Sequence, residues 1–210
     1  MSVESIVIAT DLNKTFKAEQ KGLDDVQALQ GINMQIKAGQ LTALVGPDGA
    51  GKTTFLRLIA GLYEPTTGSL KVLGMDVAKD PQSVQDRISY MPQKFGLYED
   101  LSIQENLDLY ADLHGVPMDV RKERFARLLK ITDLARFTER PAGKLSGGMK
   151  QKLGLACTLV RSPELLLLDE PSVGVDPLSR RDLWIIIEQL VREENLSVIL
   201  STASVSYTHL

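Results

Sequence analysis

The residues best equipped for chemistry fall in three short runs. The first, Gly46-Pro47-Asp48-Gly49-Ala50-Gly51-Lys52-Thr53, fits the pattern G-x-x-x-x-G-K-[ST]. Its glycines let backbone N–H groups converge on phosphate oxygens, and a helix start just beyond adds partial positive charge. Lys52 is then expected to reach the terminal phosphates of a nucleotide, and the Thr53 hydroxyl to ligate Mg²⁺. Asp48 sets a carboxylate beside that polyphosphate. This is tolerable if its side chain points away and only its backbone faces the ligand. A Gly-rich turn that matches by chance is the alternative, and the strand and helix expected on either side argue against it.

The second run is Leu165-Leu166-Leu167-Leu168 followed by Asp169-Glu170. It places two carboxylates at the tip of a buried strand, where open α/β sheets bind ligands. Asp169 is expected to hold Mg²⁺ through water, and Glu170 to polarise an attacking water as general base. Read alone, the pair is equally an exposed acidic turn before Pro171. The third run is Leu145-Ser146-Gly147-Gly148-Met149-Lys150-Gln151. Two glycines after a serine, opening an apolar helix, make a second helix N-terminus suited to an anion, or simply an N-cap.

These runs need elements to position them. Leu41–Val45 reads as a buried strand feeding the first loop, and a helix is expected from Lys52 to about Ala60, with Gly61 near its end. Ile6–Ile8 and Met34–Ile36 are strand-like, and Pro65 and Gly68 mark a turn before a strand at Leu70–Leu73. From about Gln93 to Ala156 the strand signals fade, and Ile103–Leu113 and Val120–Ile131 carry apolar residues at helical spacing. Leu165–Leu168 reads as a central strand, Leu178–Glu193 as a helix and Ser197–Ser201 as a last strand. The order implies an α/β core interrupted by a helical insert.

Composition narrows the function classes. With 43% hydrophobic and 24% charged residues, the 210-residue chain has enough apolar content for a packed core. The formal charge of −3 provides no global attraction to nucleic acid or anionic lipid, and no nucleic-acid partner is expected. No apolar run approaches the ~20 residues that span a bilayer, and no signal peptide is visible, so a membrane role would be peripheral. The single cysteine, Cys157, suits a reducing compartment and reads as a small buried apolar residue. His114 reads as a surface or helix-end residue and Trp184 as core, and no Cys/His cluster has zinc spacing.

Taken together, the chain resembles the ATP-binding cassette (ABC) family from Val7 to about Thr202. The family's phosphate loop, glutamine loop, LSGGQ-like signature, acidic strand end and SxGLDP-type segment appear in order. Here they are GPDGAGKTT (ending in Thr54), Tyr90-Met91-Pro92-Gln93, LSGGMKQ, LLLLDEP and Ser172-Val173-Gly174-Val175-Asp176-Pro177. The resemblance implies a P-loop NTPase core of ABC type, with N-terminal antiparallel strands and an inserted α-helical subdomain. It implies ATP and Mg²⁺ as cofactors, with the loop from Gly46 to Thr54 on the phosphates.

Phe16 matches the aromatic that stacks on adenine, with simple core packing as the lesser alternative. Gln93 matches the residue that senses Mg²⁺ and the γ-phosphate. Ser146, Gly147, Gly148 and Asp176 match contacts made across a pair of cassettes that sandwich two nucleotides. At finer grain, YMPQKFGLYEDLSIQENLDLYADL and GKLSGGMKQKLGLACTLV resemble the first cassette of YbhF-type tandem subunits. Those subunits serve multidrug exporters built on type-2 permeases. The resemblance thus implies a second cassette and integral membrane permease subunits as partners, at the cytoplasmic face of a bacterial inner membrane. Lys94–Leu113 would lie where the permease docks, unless its apolar residues are only insert core.

The expected organisation is core in 1–92, helical insert with signature in 93–156, core again in 157–203, and a non-native tail in 204–210. The tail Val205-Ser206-Tyr207-Thr208-His209-Leu210 resembles the translation of a transposon-end sequencing adapter. Cassettes usually carry a histidine after Ser-Thr, where this chain has Ala203, and His209 lies too far on to replace it. A soluble non-transport ATPase and a regulatory cassette with little turnover are the competing readings. The first lacks the usual basic linkers or coiled-coil inserts; Ala203 favours the second and Glu170 opposes it.

Overall fold

The computed structural model describes residues 5–18 and 24–203. The tail from 204 onward, His209 with it, lies outside the described residues, and so does the expectation that it is foreign.

The chain begins with two long strands, β1 (Ser5–Phe16) and β2 (Val26–Lys37), which pair antiparallel. Next come β3 (Leu41–Val45), α1 (Lys52–Ile59), β4 (Thr67–Val72), β5 (Met75–Asp76), α2 (Pro81–Arg87) and β6 (Ile88–Met91). Three helices follow: α3 (Ile103–Leu113), α4 (Met118–Ile131) and α5 (Gly147–Leu159). The chain then returns through β7 (Leu165–Asp169), α6 (Pro177–Glu194) and β8 (Ser197–Thr202). One sheet is antiparallel in the order β2-β1-β4-β5, and the other is parallel in the order β3-β8-β7-β6.

The leucine run in β7 shows how the layers are glued. Side chains alternate across a strand, so a strand buried on both faces needs apolar residues at every position. Leu165 and Leu167 join a core with α1 and the antiparallel sheet, including Leu12, Phe55, Leu58 and Leu70. Leu166 and Leu168 join the opposite core, with α3, α5 and α6 residues such as Leu107, Leu153 and Ile187. All four leucines are fully buried. The fold is thus an α/β P-loop core with an antiparallel sheet on one face and the inserted helices on the other.

The inserted helices begin where their caps dictate. Ser102 and Glu105 form a reciprocal capping box on α3, the Ser102 hydroxyl accepting from Glu105 N and Glu105 accepting from Ser102 N. Asn106, wholly buried, accepts from Tyr98 N and donates to the carbonyls of Tyr98, Leu101 and Ser102. One amide therefore pins the loop between β6 and α3.

Five elements differ from the sequence reading. β3 is the edge of the parallel sheet among the described residues, not a buried strand, because it pairs only with β8; Ala43 is exposed and Val45 is 44% exposed. The pair α2 and β6 was not expected, since Pro81–Arg87 is short and largely polar with only Val84 buried. β1 and β2 run much further than their apolar centres. Polar residues extend β1 through a bulge at Asp11, where the backbone turns left-handed (φ 45°) and Asn13 bridges to Asp11 O and Gly31 N.

Candidate nucleotide site

Every strand of the second sheet is parallel, so all four C-terminal ends lie at one edge. That single fact gathers the motifs. The loop 46–51 leaves β3, Gln93 follows β6 by two residues, Asp169 ends β7, and Ala203 follows β8. The register places Asp169 beside Ser201 and Val45 beside Thr202.

The loop turns into α1 through glycines with left-handed backbone, Gly49 (φ 79°) and Gly51 (φ 85°). At Gly51 a Cβ would also run into the carbonyl of Ala28, so both conformation and space demand glycine. Lys52 folds back over this loop. Its ammonium donates to the carbonyls of Gly46 (2.8 Å) and Pro47 (3.0 Å) and pairs with Glu170 Oε1 at 3.2 Å. Asp48, Gly49 and Ala50 are exposed on the rim, and Asp48 engages none of these groups. Thr54 sits on the first turn of α1, half-buried.

Asp169 is the hub. It is 2% exposed and accepts three hydroxyls: Thr53 Oγ1 (2.9 Å) and Ser201 Oγ (2.7 Å) on Oδ1, and Tyr90 OH (3.0 Å) on Oδ2. Such charge-assisted bonds satisfy a buried carboxylate that would otherwise be costly. Glu170 sits just outside, with left-handed backbone (φ 49°) unusual for a side chain of this size, and its N–H donates to Ser201 Oγ (2.9 Å). One buried serine thus holds both acidic residues in register. Burial pushes the Tyr90 phenol up, a hydrogen bond from Arg57 opposes this, and the Asp169 charge adds to the rise, so the hydroxyl keeps its proton.

The remaining expected residues lie around this centre. Phe16, half-buried at the end of β1, packs edge-to-face on Tyr63 (centroids 5.3 Å) with the Lys14 ammonium 5.0 Å from its ring centre. Arg57 donates to Tyr63 OH at 2.9 Å, so α1 holds both the phosphate loop and the base of this aromatic pair. Gln93 is exposed, and its side chain makes no hydrogen bond among the described residues.

Ser146, Gly147, Gly148 and Asp176 group with one another. Ser146 caps α5 by accepting from Met149 N (3.2 Å), and Asp176 caps α6 by accepting from Ser179 N (2.9 Å). Hydrogen bonding from the Ser179 side chain, and then from its backbone N–H, holds the Asp176 carboxyl below its ordinary value. Gly148 is buried where the two helix starts meet, and a Cβ there would collide with Ser179. No hydrogen bond joins these residues to the loop 46–52 among the described residues. Sequence reasoning missed Tyr90 and Ser201 as partners of Asp169, and Arg57 and Tyr63 beside Phe16. The register that sets Ser201 against Asp169 is the only signal that reveals the serine, and it is tertiary.

His114 closes α3 as its C-cap, Trp184 packs in the core, and burial pushes the Cys157 thiol far up, away from reactivity. Among the described residues no group of three or more His, Cys, Asp or Glu could hold a metal ion by itself. No described helix is long and apolar enough to cross a membrane.

Comparison with known proteins agrees with this geometry. Residues 29–173 match the family described as ABC transporter. The chain is 52% identical over 200 residues to the probable multidrug ABC transporter ATP-binding protein YbhF of Escherichia coli K12, covering 95% of this chain and 34% of YbhF. It is 34% identical to the bacitracin transport ATP-binding protein BcrA of Bacillus licheniformis, over 95% of this chain and 62% of BcrA. The chain therefore spans about a third of YbhF and under two thirds of BcrA.

Among solved structures it superposes on a dimeric post-hydrolysis state of the ATP-binding cassette MJ0796 bound to ADP and Pi. The TM-score is 0.81 at 25% identity, covering 95% and 88% of the two chains. It also superposes on cbiO1 from Clostridium perfringens, part of the ABC transporter complex cbiONQ. There the TM-score is 0.83 at 27% identity, over 96% and 79%. A glycine-lined phosphate loop, a buried aspartate hub and a matching fold thus lead to one conclusion: the chain belongs to the ABC transporter family.

Proposed function

We propose that this cassette binds ATP with Mg²⁺, hydrolyses it when paired with a second cassette, and energises permease subunits that export drugs or other small molecules. The observation that carries the reading is the meeting of Lys52, Thr53, Asp169 and Glu170 at one sheet edge, from two stretches of chain more than a hundred residues apart. Thr53 and Asp169 offer hard oxygen donors, which suit Mg²⁺ completed by phosphate oxygens rather than by an all-protein cage. Bound there, Mg²⁺ would neutralise charge on the terminal phosphates.

The protein's own groups then have distinct tasks. The Lys52 ammonium, spread over two loop carbonyls and Glu170, exchanges those partners for phosphate oxygens. That exchange frees Glu170 Oε1 to accept a proton from the attacking water, so the base is released by the ligand it serves. Ser201 keeps Glu170 and Asp169 fixed meanwhile. In this reading Gln93, exposed beyond β6, reports on the γ-phosphate, and Phe16, packed on Tyr63, carries the adenine ring.

The exposed Ser146 and Gly147, with Asp176, belong on the surface that meets the second cassette, as the dimeric MJ0796 structure supports. A cleft of about 220 Å³ lined by Leu62, Phe95, Tyr110 and His114 joins core to insert and suits a permease segment. We divide the chain into core (1–92 and 157–203) and helical insert (93–156), the second boundary falling inside α5. The names of YbhF and BcrA support drug-type export, and we assign the cassette to the membrane's cytoplasmic face, where ATP is supplied.

The test is ATP turnover by the intact subunit purified with its permease. Glu170→Gln should retain ATP binding and lose at least about a hundredfold in rate, the scale of a removed general base. Equal, near-zero rates for both proteins would overturn the enzymatic reading.

A further inference from the structure

We propose that Tyr90 is a positioning residue for the metal-binding carboxylate. Its hydroxyl, 3.0 Å from Asp169 Oδ2, locks the carboxylate in the rotation that lets Thr53 and Ser201 both reach Oδ1. The inference rests on the reading of Asp169 as the magnesium carboxylate and assigns a residue that this reading does not use.

Rotation of an aspartate carboxylate is soft and roughly two-fold, so bonds to a single oxygen leave the plane free to swing. Thr53 and Ser201 both serve Oδ1, and Tyr90 alone among the described residues holds Oδ2. The tyrosine is itself fixed. It lies on β6, paired with Leu167 of β7, two residues before Asp169, so its ring reaches along the sheet to the strand tip. Nearby is Arg57, one helical turn beyond Thr53 on α1, which donates to Tyr63 and acts electrostatically on Tyr90.

The phenol thus bonds the carboxylate, and the arginine near it leads through Tyr63 to Phe16. Core packing alone would be met by phenylalanine, which fills the same space without the hydroxyl. The hydroxyl is what marks Tyr90 for this task. When Thr53 turns from Asp169 toward a metal, one of the two bonds on Oδ1 is lost, and Tyr90 keeps the carboxylate from following.

The test compares wild type, Tyr90→Phe and Asp169→Asn in the intact chain. ATP affinity is measured in excess EDTA, and Mn²⁺ affinity is measured by electron paramagnetic resonance with a non-hydrolysable ATP analogue bound. Tyr90→Phe should bind ATP in EDTA within about twofold of wild type and bind Mn²⁺ about tenfold more weakly, the effect of one charge-assisted hydrogen bond. Wild-type Mn²⁺ affinity in Tyr90→Phe, with loss in Asp169→Asn, would overturn the role of Tyr90 alone. Unchanged Mn²⁺ affinity in Asp169→Asn would overturn the metal reading beneath it. Equal weakening with and without metal in Tyr90→Phe would mean a general structural defect, and would also overturn the inference.

Discussion

Removing one hydroxyl, Ser201→Ala, should cost this fold more than any comparable surface change. Ser201 is 0% exposed; it donates to Asp169 Oδ1 at 2.7 Å and accepts from Glu170 N at 2.9 Å. A hydrogen bond to a charged group contributes about 1.5–3 kcal/mol, and a donor left without a partner costs about 1–3 kcal/mol more. Thr53 still holds Oδ1 in the variant, so the carboxylate is not stranded, and the lower half of the combined range applies. We expect a loss of about 2.5–4 kcal/mol, which in a chain of this size lowers Tm by roughly 5–16 °C.

Urea titration should show a reduced midpoint with an unchanged slope, because the surface exposed on unfolding is the same. Thr53→Ala removes a donor from the same oxygen at a half-buried position where water can substitute, and should cost only about 0.5–1.5 kcal/mol. Since both serve one atom, the double variant should lose more than the sum, by about 1 kcal/mol. A Ser201→Ala loss under about 0.5 kcal/mol, or strict additivity with Thr53→Ala, would refute the hub as drawn.

Three further outcomes follow from other contacts. Gly148→Ala forces a Cβ into Ser179 and should cost about 1–3 kcal/mol. Thermal melts should recover most of that in the double variant with Ser179→Gly, and no recovery would contradict the packing. Lys52→Ala deletes the ammonium that spans the loop and should weaken ATP binding at least tenfold by calorimetric titration. Unchanged affinity would contradict the phosphate-loop assignment. Asp176 accepts from Ser179, which holds its folded pKa below the ordinary 3.8. Its cap therefore stabilises α6 fully above that value, and the stabilisation is lost as pH falls through the lower folded one. The Tm gap between wild type and Asp176→Ala should be full near about pH 5 and close in stronger acid; a gap constant with pH would refute this.

The sequence by itself determined the elements whose signals are local. The phosphate loop, the capped helices α3 and α6 and the apolar run of β7 are each set by neighbours within a few residues, and the structure places them where the pattern does. Polar, short or edge elements were not legible. α2 has one buried residue, β3 becomes exposed through being at an edge, and β1 continues through a bulge held by Asn13. Among the candidate site residues, type and spacing picked out Lys52, Thr53, Asp169 and Glu170, but not their partners.

The convergence itself is tertiary. Thr53 and Asp169 are 116 residues apart, and Asp169 and Ser201 are 32 apart. Only the parallel pairing of β6, β7 and β8 sets Tyr90, Asp169 and Ser201 within hydrogen-bond reach, because strand register is a long-range choice that no local pattern encodes.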